Sequence, residues 1–229
     1  MNQSGLEIDT VFRLGSITVT TTIVTTWFIL LLLGLLFWAL TRSLSDRPGP
    51  VQTAVEALVS IIENAVADVA PNQVKILAPF IGSLWVFLVI CNLSGLVPGV
   101  HSPTSDLSAT SALAIIVFFS VHWYGIRVQG LKAYLAHYLQ PSPILLPFHI
   151  VSEITRTVAL AVRLFGNIMS LEMAALLVLL VAGFLAPVPI LMLHIIEALV
   201  QAYIFGMLAL VYVAGGIQSQ QIKQNKLKE

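Results

Sequence analysis

Apolar residues fill this chain in long blocks, separated by short runs that hold most of its charged residues. The stretch "TTTIVTTWFILLLLGLLFWAL" (20–40) is long enough for a helix to cross a bilayer, which takes about 20 apolar residues. Arg42, Asp46, Arg47 and the breaker "RPGP" close it. The same pattern predicts spans over 76–97, 107–126, 148–186 and 190–217. Two segments differ. In "VQTAVEALVSIIENAVADVAP" the apolar positions Val51, Val55, Leu58, Val59, Ile62, Val66 and Val69 recur at helical spacing, interrupted by Glu56, Glu63 and Asp68. This predicts an amphipathic helix at the membrane surface over 51–70. "RVQGLKAYLAHYLQPSPILLP", with Arg127, Lys132 and His137, predicts a second interfacial helix over 128–140. The fold class is therefore an all-α membrane protein with five membrane-embedded helices plus interfacial helices. It forms a single domain over 1–229, with a basic tail, 218–229, expected to be frayed. No internal repeat of the kind found in many transporters is visible.

Composition sharpens this picture. Only 10% of the 229 residues are charged and 58% are hydrophobic, where a soluble domain carries about 25% charged residues. Mean hydropathy is +0.94, so the apolar surplus needs lipid to cover it. The start "MNQSGLEIDTVFRLGS" lacks the basic, apolar and small-residue regions of a signal peptide, and the first span is expected to insert uncut. Cys91 is the single cysteine, which excludes an internal disulfide and reads as a small apolar packing residue. No nucleophile, metal-ligand or phosphate-loop motif argues for an enzyme, and no cofactor is implied. Nucleic-acid binding fails because the few basic residues are loop anchors or tail. With five spans, Arg42, Arg47, Lys75, Arg127, Lys132, Lys223, Lys226 and Lys228 fall on one side and only Arg13 on the other. The positive-inside rule then puts the N-terminus outside and the C-terminus in the cytoplasm.

The fourth span is too long. Between Pro147 and Pro187 lie 39 residues without a proline. As one helix they would reach about 58 Å, against a hydrocarbon layer about 30 Å thick. Such a helix must bend, break or tilt, and its polar residues favour tilt. At about 100° per residue with Arg163 at zero, Arg156 falls near 20°, His149 and Asn167 near 40°, Ser170 near −20° and Glu153 near 80°. These residues form one polar stripe along an apolar helix, while Glu172 falls on the opposite face. In the last span His194, Glu197 and Gln201 share a face. Each charge near the bilayer centre costs ~2.5–3.5 kcal/mol, so the stripe must line a watery path or meet a partner chain. The bland alternative is a set of buried ion pairs, such as Glu153 with Arg156, that only lock helices together.

Residue chemistry separates two roles. Arg163 stays protonated at any physiological pH and holds a fixed positive charge, which repels cations and attracts a carboxylate. Glu172, His194 and Glu197 can take up and release protons. One fixed barrier with relay groups on another face suits an ion path interrupted in its middle.

The run "VRLFGNIMSLEM" resembles the signature of subunit a of rotary F-type ATP synthases, through Arg163, Leu164, Phe165, Gly166 and Asn167. The likeness continues in "NLSGLVPG" (92–99), "PTSDLSATSALA" (103–114) and "HIIEALVQAYIFGMLALVY" (194–212). The resemblance implies the stationary half of a membrane motor, packed beside a rotating c-ring of proteolipids, with its last two helices long and tilted. It implies a b-type peripheral stalk and F1 ATPase subunits as further partners, in a bacterial inner membrane. Ions enter one half-channel, ride the ring, and leave by a second. Arg163 then separates the half-channels and displaces the ion from the ring carboxylate. Asn167 and Gln201 match polar positions near that arginine. Glu172 and His194 match the pair of the periplasmic half-channel, and Glu197 an acidic position before the glutamine. One position departs: His149 stands where many members carry an acidic residue, and Glu153, one turn on, is its expected substitute in the cytoplasmic half-channel. With Thr157 where proline is frequent, the departures resemble the N-type branch. The rival reading is a free-standing ion-coupled secondary transporter, for which a repeat would be expected. Selection between H⁺ and Na⁺ would lie on the ring.

Overall fold

A computed structural model describes residues 10–14, 17–42, 49–97, 100–131, 146–183, 186 and 188–226. A short antiparallel pair, β1 (Thr10–Leu14) and β2 (Ile17–Thr20), precedes the helices. Six α-helices follow among the described residues: α1 (Thr21–Arg42), α2 (Pro50–Val69), α3 (Val74–Ser94), α4 (Leu107–Gln129), α5 (Leu146–Ala182) and α6 (Val188–Lys226). All but α2 contain stretches long and apolar enough to cross a membrane: Thr21–Arg42, Pro71–Ser94, Leu107–Val128, Pro147–Val181 and Val188–Ile217.

Several boundaries differ from the periodicity reading, each for a local reason. The hairpin was not expected, although "TVFRL" and "ITVT" are rich in β-branched residues. Helix α4 continues to Gln129 and stops at Gly130, whose φ of +84° few other residues tolerate and whose N–H bonds to Ile126 O at 2.7 Å. Residues 132–140 of the proposed 128–140 interfacial helix lie outside the described residues. Helix α5 is unbroken over 37 residues and ends before Gly183, φ +82°, four residues short of the expected limit at 186. Helix α6 does not fray at 218 but runs on to Lys226. Its extension, "QSQQIKQNK", has no Gly or Pro to stop the helix. The amphipathic α2 stands as expected, with Ile62 and Val66 buried and Glu56, Glu63 and Asp68 exposed.

Helices α3, α4, α5 and α6 pack together, joined by α2, around Leu77, Ile81, Leu88, Val117, Leu164, Ile168, Phe205 and Leu210. The buried face of α6 carries small residues, Ala198, Ala202, Gly206, Ala209 and Ala214, which let neighbouring helices approach closely. Helix α1 stands outside this core. It touches α3 through Ile29, Leu33 and Cys91, while Trp27, Phe28 and Leu31 remain exposed. Such a face is stable only against lipid or another chain.

Candidate functional site

Polar side chains gather at one end of the bundle. Thr22 lies in the first turn of α1, Asn92 in the last turn of α3, and Asp106 caps the start of α4. Glu172 lies in the later half of α5, and His194 in the second turn of α6. All five apolar helices thus contribute. Asn92 is fully buried and occupies the centre: its Nδ2 donates to Ala198 O at 3.0 Å, its Oδ1 accepts from Thr104 Oγ1 at 2.7 Å, and its carbonyl faces His194 Nε2 at 3.3 Å. A carbonyl only accepts, so that bond requires hydrogen on Nε2 of His194. Ser102 lies 2.7 Å from the Thr104 hydroxyl and donates its own to Cys91 O at 2.8 Å. Its backbone N–H donates to Glu172 Oε1 at 3.1 Å. A series of polar contacts therefore leads from Glu172 through Ser102, Thr104 and Asn92 to His194. Two hydroxyl hydrogens serve three short oxygen contacts along it, so more than one hydrogen arrangement is open to the network.

Asp106 fixes this end mechanically. One oxygen accepts from Ser108 N at 2.9 Å and Ser108 Oγ at 2.8 Å, as an N-cap does, and the other accepts from Thr22 Oγ1 at 2.8 Å. The same carboxylate thus starts α4 and anchors the peripheral α1. Replacing Asp106 by alanine should destabilise the fold by about 2 kcal/mol, combining loss of the cap with loss of the bond to Thr22. Thermal unfolding of the detergent-solubilised protein measures this, and Thr22→Val should reproduce only part of the loss.

The second polar group lies at mid-height. Arg163 sits near the middle of the stretch Pro147–Val181. It is exposed and makes no hydrogen bond or ion pair among the described residues. Leu160, Ala161, Leu164 and Ile168 turn inward on the other side of the helix. His149, Ser152, Arg156 and Ser170 share the exposed face with Arg163, together with Val158, Val162 and Met169. Asn167 is half-buried, and its Nδ2 donates to Gln201 Oε1 at 2.8 Å, tying α5 to α6. Gln201 is 1% exposed, and its Nε2 has no partner among the described residues. Arg156 places Cζ 4.5 Å from the centroid of Tyr212 on α6, a cation–π contact. It does not pair with Glu153, which is half-buried, so the bland ion-pair alternative finds no support at these residues. Glu197 is half-buried on α6 between His194 and Gln201.

The two groups differ in kind. One is a chain of polar contacts at the bundle end; the other is a permanent charge facing outward at mid-span, unpaired among the described residues. Residues 23–214 match the family described as ATP synthase A chain. The chain belongs to that family. It is 62% identical over 218 residues to ATP synthase subunit a 2 of Pelobacter propionicus, covering 95% of this chain and 96% of that one. Likewise it is 61% identical over 214 residues to ATP synthase subunit a 1 of Hahella chejuensis, covering 93% and 91%. With ATP synthase subunit a of Legionella pneumophila it shares 51% over 224 residues, covering 97% of each. Members of the ATP synthase A chain family are non-catalytic membrane subunits of the synthase.

Sequence reasoning singles out His149, Glu153, Arg163, Asn167, Glu172, His194, Glu197 and Gln201 but passes over Asn92, Ser102, Thr104 and Asp106 as individual residues. The available signals were an asparagine inside an apolar helix and the cap pattern of Asp106 before Ser108.

Proposed function

We propose that this chain is the stator of a rotary ATP synthase, forming two ion half-channels against a rotating ring of proteolipids. The observation that carries the reading is Arg163: a permanent charge at mid-span, exposed and unpaired among the described residues. In lipid that charge costs several kcal/mol, about 2.5–3.5 on the lenient scale. A carboxylate on a neighbouring ring removes the cost and gives the charge a task. Facing each carboxylate as it passes, Arg163 displaces the ion by charge competition and blocks direct flow between the half-channels.

Glu172 and His194 lie in the half of the bundle remote from Arg42, Lys75 and Arg127, which mark the ends of α1, α3 and α4 facing the other side. With the basic side cytoplasmic, the Glu172–His194 chain belongs to the half-channel open to the outside, and the N-terminus lies outside. Glu153, on the cytoplasmic portion of α5, takes the place of the carboxylate missing at His149 in the second half-channel. Asn167 and Gln201 fix the separation of α5 and α6 beside Arg163, and Glu197 adds a titratable group on the outward path. Partners are the c-ring, a b-type stalk and, through the complex, F1; the membrane is the bacterial inner membrane.

Gentle purification of the tagged protein from its native membrane, with mass spectrometry of what remains bound, tests the assignment. A two-span proteolipid, a stalk protein and soluble ATPase subunits are expected. Recovery as a lone chain or homo-oligomer, under conditions that preserve a control rotary complex, would favour the secondary transporter.

A further inference from the structure

We propose that Gly95 is a positioning residue for Glu172: its missing side chain leaves the space in which the Glu172 carboxylate reaches the N–H of Ser102. This rests on the reading of Glu172 as part of the ion path. Gly95 follows α3 with φ −65° and ψ −11°, ordinary right-handed values open to any residue. The glycine is therefore not there for backbone freedom. Space is the remaining demand. A Cβ at this position would sit 2.9 Å from Glu172 Oε1 and 3.1 Å from Ser102 Cβ.

Of these two neighbours only one can yield. Ser102 is fully buried and held by its hydroxyl contacts to Cys91 O at 2.8 Å and Thr104 Oγ1 at 2.7 Å. Glu172 is half-buried, and its carboxylate is the far end of a flexible side chain. An added methyl group thus displaces the carboxylate from Ser102 N, where it now accepts at 3.1 Å. The polar chain toward Thr104, Asn92 and His194 then loses its first link, while the α3 turn and the Ser102 loop keep their own bonds. The glycine also shields that link, because a longer side chain at this position would compete for the same N–H.

The test is a double-mutant cycle in the assembled complex, reading gradient-driven ATP synthesis in membrane vesicles normalised to assembled subunit. Gly95→Ala is expected to lower the rate about tenfold, the scale of losing a hydrogen bond to a charged group. In a Glu172→Ala background, adding Gly95→Ala should cause no further loss, because the displaced group is gone. Glu172→Asp, one methylene shorter, should regain at least part of the rate in the Gly95→Ala chain. A Gly95→Ala loss of equal size in both backgrounds would overturn the positioning role while leaving Glu172 in the ion path, as would an unaffected Gly95→Ala rate. An unaffected Glu172→Ala rate would instead remove the underlying reading. Should Gly95→Ala impair assembly, the same cycle decides. Assembly restored by Glu172→Ala supports the carboxylate clash, and assembly still lost assigns Gly95 to loop packing and overturns the proposal.

Discussion

Arg163→Ala abolishes coupled ATP synthesis, lowering the rate at least about 100-fold, and leaves the complex assembled. The size follows from electrostatics. A positive charge about 4 Å from another charge contributes about 4 kcal/mol at an effective dielectric constant of about 20, so its loss removes more than about two factors of ten. Assembly survives because Arg163 makes no bond among the described residues and points away from the packed face of Leu164 and Ile168. The measurement is ATP synthesis against an imposed gradient, with passive ion leak recorded in the same vesicles. Leak should rise as synthesis falls. Arg163→Lys should restore the charge but not the rate, because an ammonium lacks the planar fork that engages a carboxylate through two bonds. A purely structural arginine would instead lose assembly and activity together.

Gly206→Val lowers the amount of this protein in the membrane several-fold. Gly206 is buried on α6 directly against the Trp85 indole of α3, and a side-chain carbon there would occupy the position of the indole ring. Trp85 cannot step aside. It is 9% exposed, packed in one core with Leu84 and Leu88, and stacked on Tyr203 with ring centroids 5.7 Å apart and planes at 21°. Overpacking usually costs about 1–3 kcal/mol, and here the strain falls where α6 must lie closest to α3. The amount of chain recovered in membranes, measured by quantitative immunoblot, should fall several-fold. Trp85→Leu should rescue part of the loss in the double variant by clearing the space. Gly206→Ser should show a milder version of the same defect.

Legibility from sequence followed the range of the interactions. The polar stripe of α5 was readable because helical period alone brings His149, Arg156 and Arg163 onto one face, and a helix too long for the bilayer drew attention to them. The near coincidence of Asn167 and Gln201 was implied by family likeness, and the structure supplies the 2.8 Å bond between them. The hydrogen-bonded end was not readable in the same way. Asn92, Ser102 and Thr104 are uncharged, and their importance appears only once a loop folds back to place Ser102 N beside Glu172, seventy positions later in the chain. Gly95 and Gly206 carry no periodic signal at all, since what matters is the neighbour each admits. Boundaries failed where terminal chemistry outweighed hydropathy. Gly130 and Gly183 stop helices by conformation, while the polar end of α6 continues on propensity.

The central claim is that the exposed face of α5 meets a rotating proteolipid ring. A photoreactive amino acid placed at Val162, 53% exposed beside Arg163, tests it most directly, with Leu31 on α1, 61% exposed, as the control face. The stator account predicts a covalent adduct of this chain with a small two-span proteolipid from Val162 and none from Leu31, with ATP synthesis lost in proportion to adduct. Adducts with lipid alone from Val162, in a complex shown to contain the ring, would contradict it.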